Sequence, residues 1–71
     1  MNENKVKIIL NGQEYFIHED KNIDELVSDL NLKNKSFALA LNGEVIKKEN
    51  FRDFIIMPNS KIEIISAVGG G

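Results

Sequence analysis

A single helical stripe stands among short segments in which large apolar residues mostly recur at every second position. Ile23, Leu26, Val27 and Leu30 stand at i, i+3, i+4 and i+7, the spacing of one apolar face on an α-helix. One helix can bury such a stripe against only one face of one sheet, which restricts the architecture to two layers. The helix start is well marked. Asn22 precedes the stripe as an N-cap residue, Glu25 follows three positions later as the partner of a capping box, and Asp24 suits the positive helix end. The end is marked less sharply, by the polar run NLKNKS at Asn31 to Ser36.

The flanking segments read as strands. Val6, Ile8 and Leu10 alternate with Lys7 and Ile9, the dipeptide Asn11-Gly12 supplies the two positive-φ positions of a type I′ turn, and QEYFIH leads away from it. Residues 5–18 are therefore expected to form a hairpin. In FALAL, Phe37, Leu39 and Leu41 share one face and leave only Ala38 and Ala40 on the other, after which a second Asn-Gly pair, Asn42-Gly43, turns the chain into the short segment EVI. KKENFRDF reads as a helical turn or loop anchored by Phe51 and Phe54. Pro58, Asn59 and Ser60 form a turn into the last strand, KIEIIS, in which Ile62 and Ile64 face one way.

The order is then hairpin, helix, strand, short strand, irregular crossover, strand. The first and last strands are expected to pair in parallel in the middle of the sheet, with the helix and crossover supplying the long connection that a parallel pair requires. This is an α+β roll of the ubiquitin type, the β-grasp, with a mixed four- to five-stranded sheet and one main helix on one face. The expected core is Val6, Ile8, Leu10, Tyr15, Ile17, Leu26, Val27, Leu30, Phe37, Leu39, Leu41, Ile62 and Ile64.

Composition narrows the function. The 71 residues are read as one domain, a β-grasp body over 1–66 and a flexible glycine-rich tail over 67–71. Without cysteine there is no disulfide framework, thiolate metal site or thiol nucleophile. The longest apolar runs, FALAL and FIIM, fall far short of the ~20 residues of a membrane span, and the charged start MNENKVKIIL is too briefly apolar for a secretory leader. A cytoplasmic protein is expected. A net charge of −2 gives no electrostatic attraction to nucleic acid or to an anionic membrane, and favours a partner with a basic surface.

The chain is not expected to be an enzyme. Its one histidine, His18, lies in the second hairpin strand with no arrangement of Ser, Cys or carboxylate that would make it a general base. Asp20, Asp24, Glu25 and Asp29 match no metal loop and read as capping residues and a solvated face. No metal and no cofactor bound by the chain itself are expected.

The tail AVGGG is the remaining feature. Glycine loses more backbone entropy on ordering than any other residue, so Gly69, Gly70 and Gly71 are expected to be mobile. A frayed terminus or a glycine-rich linker remnant is one account. The other is a probe: Ala67 to Gly71 extend at most ~3.3–3.6 Å each, roughly 17 Å together, and offer little but backbone to a narrow channel. A terminal carboxylate is ionised at neutral pH and a poor electrophile until it is activated. Coupling to AMP by attack on the α-phosphate of ATP creates a good leaving group, which a sulfur nucleophile can displace to leave a thiocarboxylate; the activating partner supplies ATP and Mg²⁺.

VKIILNGQ, IDELV, FALALNGEVI and KIEIISAVGGG together resemble the ThiS family, the bacterial sulfur carriers of thiamine biosynthesis, across essentially the whole chain. One departure is the turn PNSK, where the family commonly has a Gly-containing acidic turn. The resemblance implies that Gly71 carries the sulfur and that Gly69 and Gly70 thread partner channels. It also implies a ThiF-like adenylyltransferase that loads the carrier, a ThiG-like thiazole synthase that unloads it, and a sulfur donor such as a cysteine desulfurase. The small subunit of molybdopterin synthase, a ubiquitin-like modifier and a non-catalytic β-grasp interaction domain remain alternatives. The sheet face opposite the core is expected to collect Ile9, Phe16, Ala38, Ala40 and Ile65 as a candidate docking surface.

Overall fold

The computed structural model describes residues 4–66. Strands β1 (Lys5–Leu10) and β2 (Gln13–His18) form the expected hairpin, with Leu10 opposite Gln13 and Lys5 opposite His18. Its turn has φ of 50° at Asn11 and 83° at Gly12, both in the left-handed region that Asn and Gly tolerate. The second Asn-Gly turn repeats this at Asn42 and Gly43, with φ of 51° and 87°, and joins β3 (Phe37–Leu41) to the two-residue β4 (Glu44–Val45). The final strand, β5 (Lys61–Ser66), lies between β1, to which it is parallel, and β3, to which it is antiparallel. The sheet thus has five strands in the order β2-β1-β5-β3-β4.

Helix α1 (Ile23–Asp29) is held at its start by the expected capping box: Asn22 Oδ1 accepts from the Glu25 amide at 2.8 Å, and Glu25 Oε1 accepts from the Asn22 amide at 2.9 Å. These bonds satisfy two of the amides that a helix start leaves without partners. The end is sharper than the polar run implied. Asn31 takes φ of 61°, its amide donates to Ser28 O, and the Leu32 amide donates to Val27 O. This is a Schellman ending in which Asn does the work usual for Gly. Leu32 packs against the core beside it.

The core lies between α1 and one face of the sheet. Its buried residues are Ile8, Ile17, Ile23, Leu26, Val27, Leu39, Ile46, Phe51, Ile56 and Ile62. The other expected core positions, Val6, Leu10, Tyr15, Leu30, Phe37, Leu41 and Ile64, are partly buried at its margin. Ile23, Ile46, Phe51 and Ile56 are additions to the expected set. The crossover is a 3₁₀ helix over Lys48–Asp53, anchored by Phe51 alone. Its ring lies 6.1 Å from that of Phe37, which also carries the Lys48 ammonium at 5.6 Å from its centroid. Phe54, the second expected anchor, is 36% exposed instead. The cause is a change of backbone: the chain leaves the 3₁₀ helix at Phe54 and extends beside residues 21–23, where Ile23 donates to Phe54 O and Ile56 to Lys21 O. Ile56 takes the inward place that a continued helix would have given to Phe54. In the PNSK turn, Asn59 has φ of 67° and so occupies the conformation for which Gly is otherwise favoured. Ser60 is buried there, with Oγ donating to Met57 O at 2.7 Å.

Candidate functional site

The sheet has a second face that α1 does not cover. The period of two that sends Ile8, Ile17, Leu39 and Ile62 inward sends Lys7, Ile9, Glu14, Phe16, Ala38, Ala40, Val45, Lys61, Glu63 and Ile65 outward. Each residue expected in the docking surface is on this face. Phe16, Ala38 and Ile65 are exposed, and Ile9 and Ala40 are half-buried by their neighbours.

The strand register divides the five. Ala38 is opposite Ile65, and Ala40 is opposite Glu63 on one side and Val45 on the other. Ala38, Ala40, Val45 and Ile65 make an apolar corner near the Ser66 end of β5, with Glu63 beside it. Val45, 68% exposed, belongs to that corner and was not expected there; its signal was the register of a two-residue strand, which its sequence alone does not carry. Ile9 sits across β5, level with Lys61, and Phe16 lies farther from the corner, opposite Lys7. Charge therefore divides the apolar residues of this face: Lys61 and Glu63 on β5 separate the corner from Ile9, and a Lys7–Glu14 ion pair of 3.6 Å across β1 and β2 runs between Ile9 and Phe16. Such a mixture of apolar contacts and polar rim is typical of a surface that binds and releases partners.

Ala67, Val68, Gly69, Gly70 and Gly71 lie outside the described residues. His18 is exposed at the end of β2, and lines an open depression of about 360 Å³ with Glu19, Asp20, Lys21, Glu25, Ser28 and Asp29. Lys21 is paired there with Asp29. Asp24 pairs with Lys33 at 3.4 Å. Among the described residues, no group of three or more His, Asp or Glu side chains is placed to hold a metal ion, and no helix is long and apolar enough to cross a membrane.

One helix on one face of a mixed five-stranded sheet, with parallel first and last strands at its centre, is the ubiquitin-like β-grasp. The ThiS family model matches residues 3–71, and the chain belongs to the ThiS family. Among solved structures it is similar to the crystal structure of the thiamine biosynthesis protein ThiS from Geobacter metallireducens. The two are 28% identical with a TM-score of 0.80, over 93% of this chain and 100% of that one. Among curated proteins it is 34% identical to the uncharacterized protein ycf40 of Trieres chinensis, over 87% of this chain and 85% of that protein. It is also 24% identical to a thiazole synthase of Paramagnetospirillum magneticum; that match covers 93% of this chain but only 20% of the synthase. Family membership and the ThiS likeness support a sulfur-carrier role in thiamine biosynthesis.

Proposed function

We propose that this chain carries sulfur as a thiocarboxylate at Gly71 and donates it for thiazole formation. The observation that carries the reading is the extent of the family match, which runs through the three glycines to Gly71 and so makes them part of the family pattern. In the first step a Gly71 carboxylate oxygen attacks the α-phosphate of ATP, held with Mg²⁺ by a ThiF-like adenylyltransferase, and pyrophosphate leaves. A sulfur nucleophile then adds to the activated carbonyl carbon and AMP departs; sulfide-level sulfur leaves the thiocarboxylate directly, whereas a persulfide from a donor such as a cysteine desulfurase leaves an acyl disulfide, whose S–S bond a thiol reductant cleaves to free the thiocarboxylate. The chain is a co-substrate in this scheme and supplies no catalytic group.

The body of the domain serves as the grip. Ala67 and Val68 span the entrance of the partner channel and Gly69 and Gly70 its narrow part, within the roughly 17 Å that five extended residues can reach. The apolar corner of Ala38, Ala40, Val45 and Ile65 stands at the root of this reach, where an enzyme that encloses the tail also meets the sheet. The likeness between this chain and a segment of a thiazole synthase supports such an enzyme as the acceptor, since domains that act together can be joined in one chain. It favours thiazole formation over the synthesis of molybdopterin.

Intact-mass spectrometry after incubation with ATP, Mg²⁺, the activating enzyme and a sulfur donor is expected to show one terminal oxygen replaced by sulfur. A variant with one residue added after Gly71 is expected to fold normally and remain unloaded. Normal loading of the extended chain would refute the mechanism.

A further inference from the structure

The tripeptide Leu-Asn-Gly occurs twice, at 10–12 and 41–43, and turn formation accounts for only part of what its asparagines do. A residue in a parallel ladder binds both flanks of its partner: its N–H reaches the carbonyl before, and its C=O the amide after. Ile9, level with Lys61, donates to Ser60 O at 2.9 Å. Asn11, one step beyond the Leu10–Ile62 pair, continues the pattern by donating to Ile62 O at 2.9 Å. At φ of 50°, however, its backbone has left the path of the strand, and the main-chain carbonyl that would accept the next bond is carried away. The Ile64 amide is met instead by Asn11 Oδ1 at 2.8 Å.

Asn42 makes the same replacement on the other flank of β5. Its amide donates to Lys61 O at 2.7 Å, and its Oδ1 accepts from the Lys61 amide at 2.8 Å. Each asparagine thus adds one rung to β5 after its own strand has turned away. The two rungs lie at different ends: Asn42 secures Lys61, where β5 begins, and Asn11 secures Ile64, two residues before β5 ends at Ser66.

We propose that Asn11 is a positioning residue for delivery of the tail, its side-chain amide fixing the direction in which β5 hands the chain on to residues 67–71. The role rests on the carrier reading above. Beyond Asn11, β3 alone flanks β5 among the described residues. With the Ile64 rung lost, the end of β5 is held from one side, and the activating enzyme has to order it on binding. That cost falls on binding and not on the chemical step.

Three variants test this. Asn11→Gly keeps the positive-φ turn but lacks the acceptor; Asn11→Asp restores an acceptor oxygen; Asn42→Gly removes the corresponding rung at the far end of β5. Amide hydrogen exchange at Ile64 is expected to quicken about tenfold in Asn11→Gly relative to amides of the β1–β2 hairpin, and to return towards the wild-type rate in Asn11→Asp. In steady-state loading by the adenylating enzyme, Asn11→Gly is expected to raise KM roughly three- to tenfold with kcat unchanged. Asn11→Asp should recover most of the loss, and Asn42→Gly should load as the wild type does. Unchanged exchange at Ile64, an unchanged KM, or an equal rise in KM for Asn42→Gly overturns the proposal. Wild-type protein that is not loaded at all overturns the carrier reading and this role with it, whereas normal loading of Asn11→Gly overturns this role alone.

Discussion

Ile65 offers the sharpest test of the sheet face as a grip. It is 68% exposed on β5, opposite Ala38 and one residue before the strand ends. Burying an aliphatic side chain of this size completely is worth ~1.5–3 kcal/mol. With about two-thirds of that area still available, a partner that covers it gains on the order of 1–2 kcal/mol. Ile65→Thr keeps the β-branch that suits a strand and one of the methyl groups, so about 1 kcal/mol of that gain should be lost, roughly a fivefold weakening of binding. The fold itself should hardly respond, because exposed substitutions of this kind usually change stability by less than ~0.5 kcal/mol. Thermal denaturation of the free protein and steady-state adenylation kinetics, measured on one preparation, separate the two effects. The expected result is a fivefold higher KM with kcat and melting temperature unaltered. If KM changes by less than twofold, the activating enzyme does not cover the exit corner and the docking argument fails there. If the melting temperature falls by many degrees, Ile65 carries packing that its exposure denies.

Two further outcomes test the body of the domain. Asn22→Ala removes the side-chain acceptor of the capping box and should cost ~1 kcal/mol, a drop in melting temperature of roughly 4–8 °C for a domain of this size; Asn22→Ser should restore most of it, and an unaltered melting temperature in Asn22→Ala would show that the cap contributes nothing. Phe51→Ala should cost ~3–5 kcal/mol, much of the stability expected of a chain this short, and Phe54→Ala less than half as much. Equal shifts in the urea midpoint for the two would contradict the assignment of Phe51 as the single anchor of the crossover.

The residues legible in advance were those whose signal is local. The stripe from Ile23 to Leu30, the Asn22–Glu25 box and the two Asn-Gly turns depend on neighbours within a few positions, so their spacing declares them. The parallel pairing of β1 with β5 followed because one helix and an uncovered sheet leave few arrangements. The outward placement of Ile9, Phe16, Ala38, Ala40 and Ile65 followed from the period of two alone.

Residues 46–57 have no such period, and there only the tertiary structure decided. Whether Phe51 or Phe54 turned inward depended on the segment at 21–23, which draws the chain out at Phe54 and seats Ile56 beneath it. Val45 joined the exit corner because β4 pairs with Ala40 and Leu41. The side chain of Asn11 found its partner 53 residues away along the chain. Outside that stretch the sequence by itself determined which short segments would be strand, helix or turn, because those choices are set by backbone preferences and local spacing. The tertiary structure determined which side chains in the aperiodic stretch were buried and which oxygens completed the edges of β5, because those choices depend on what lies across the molecule.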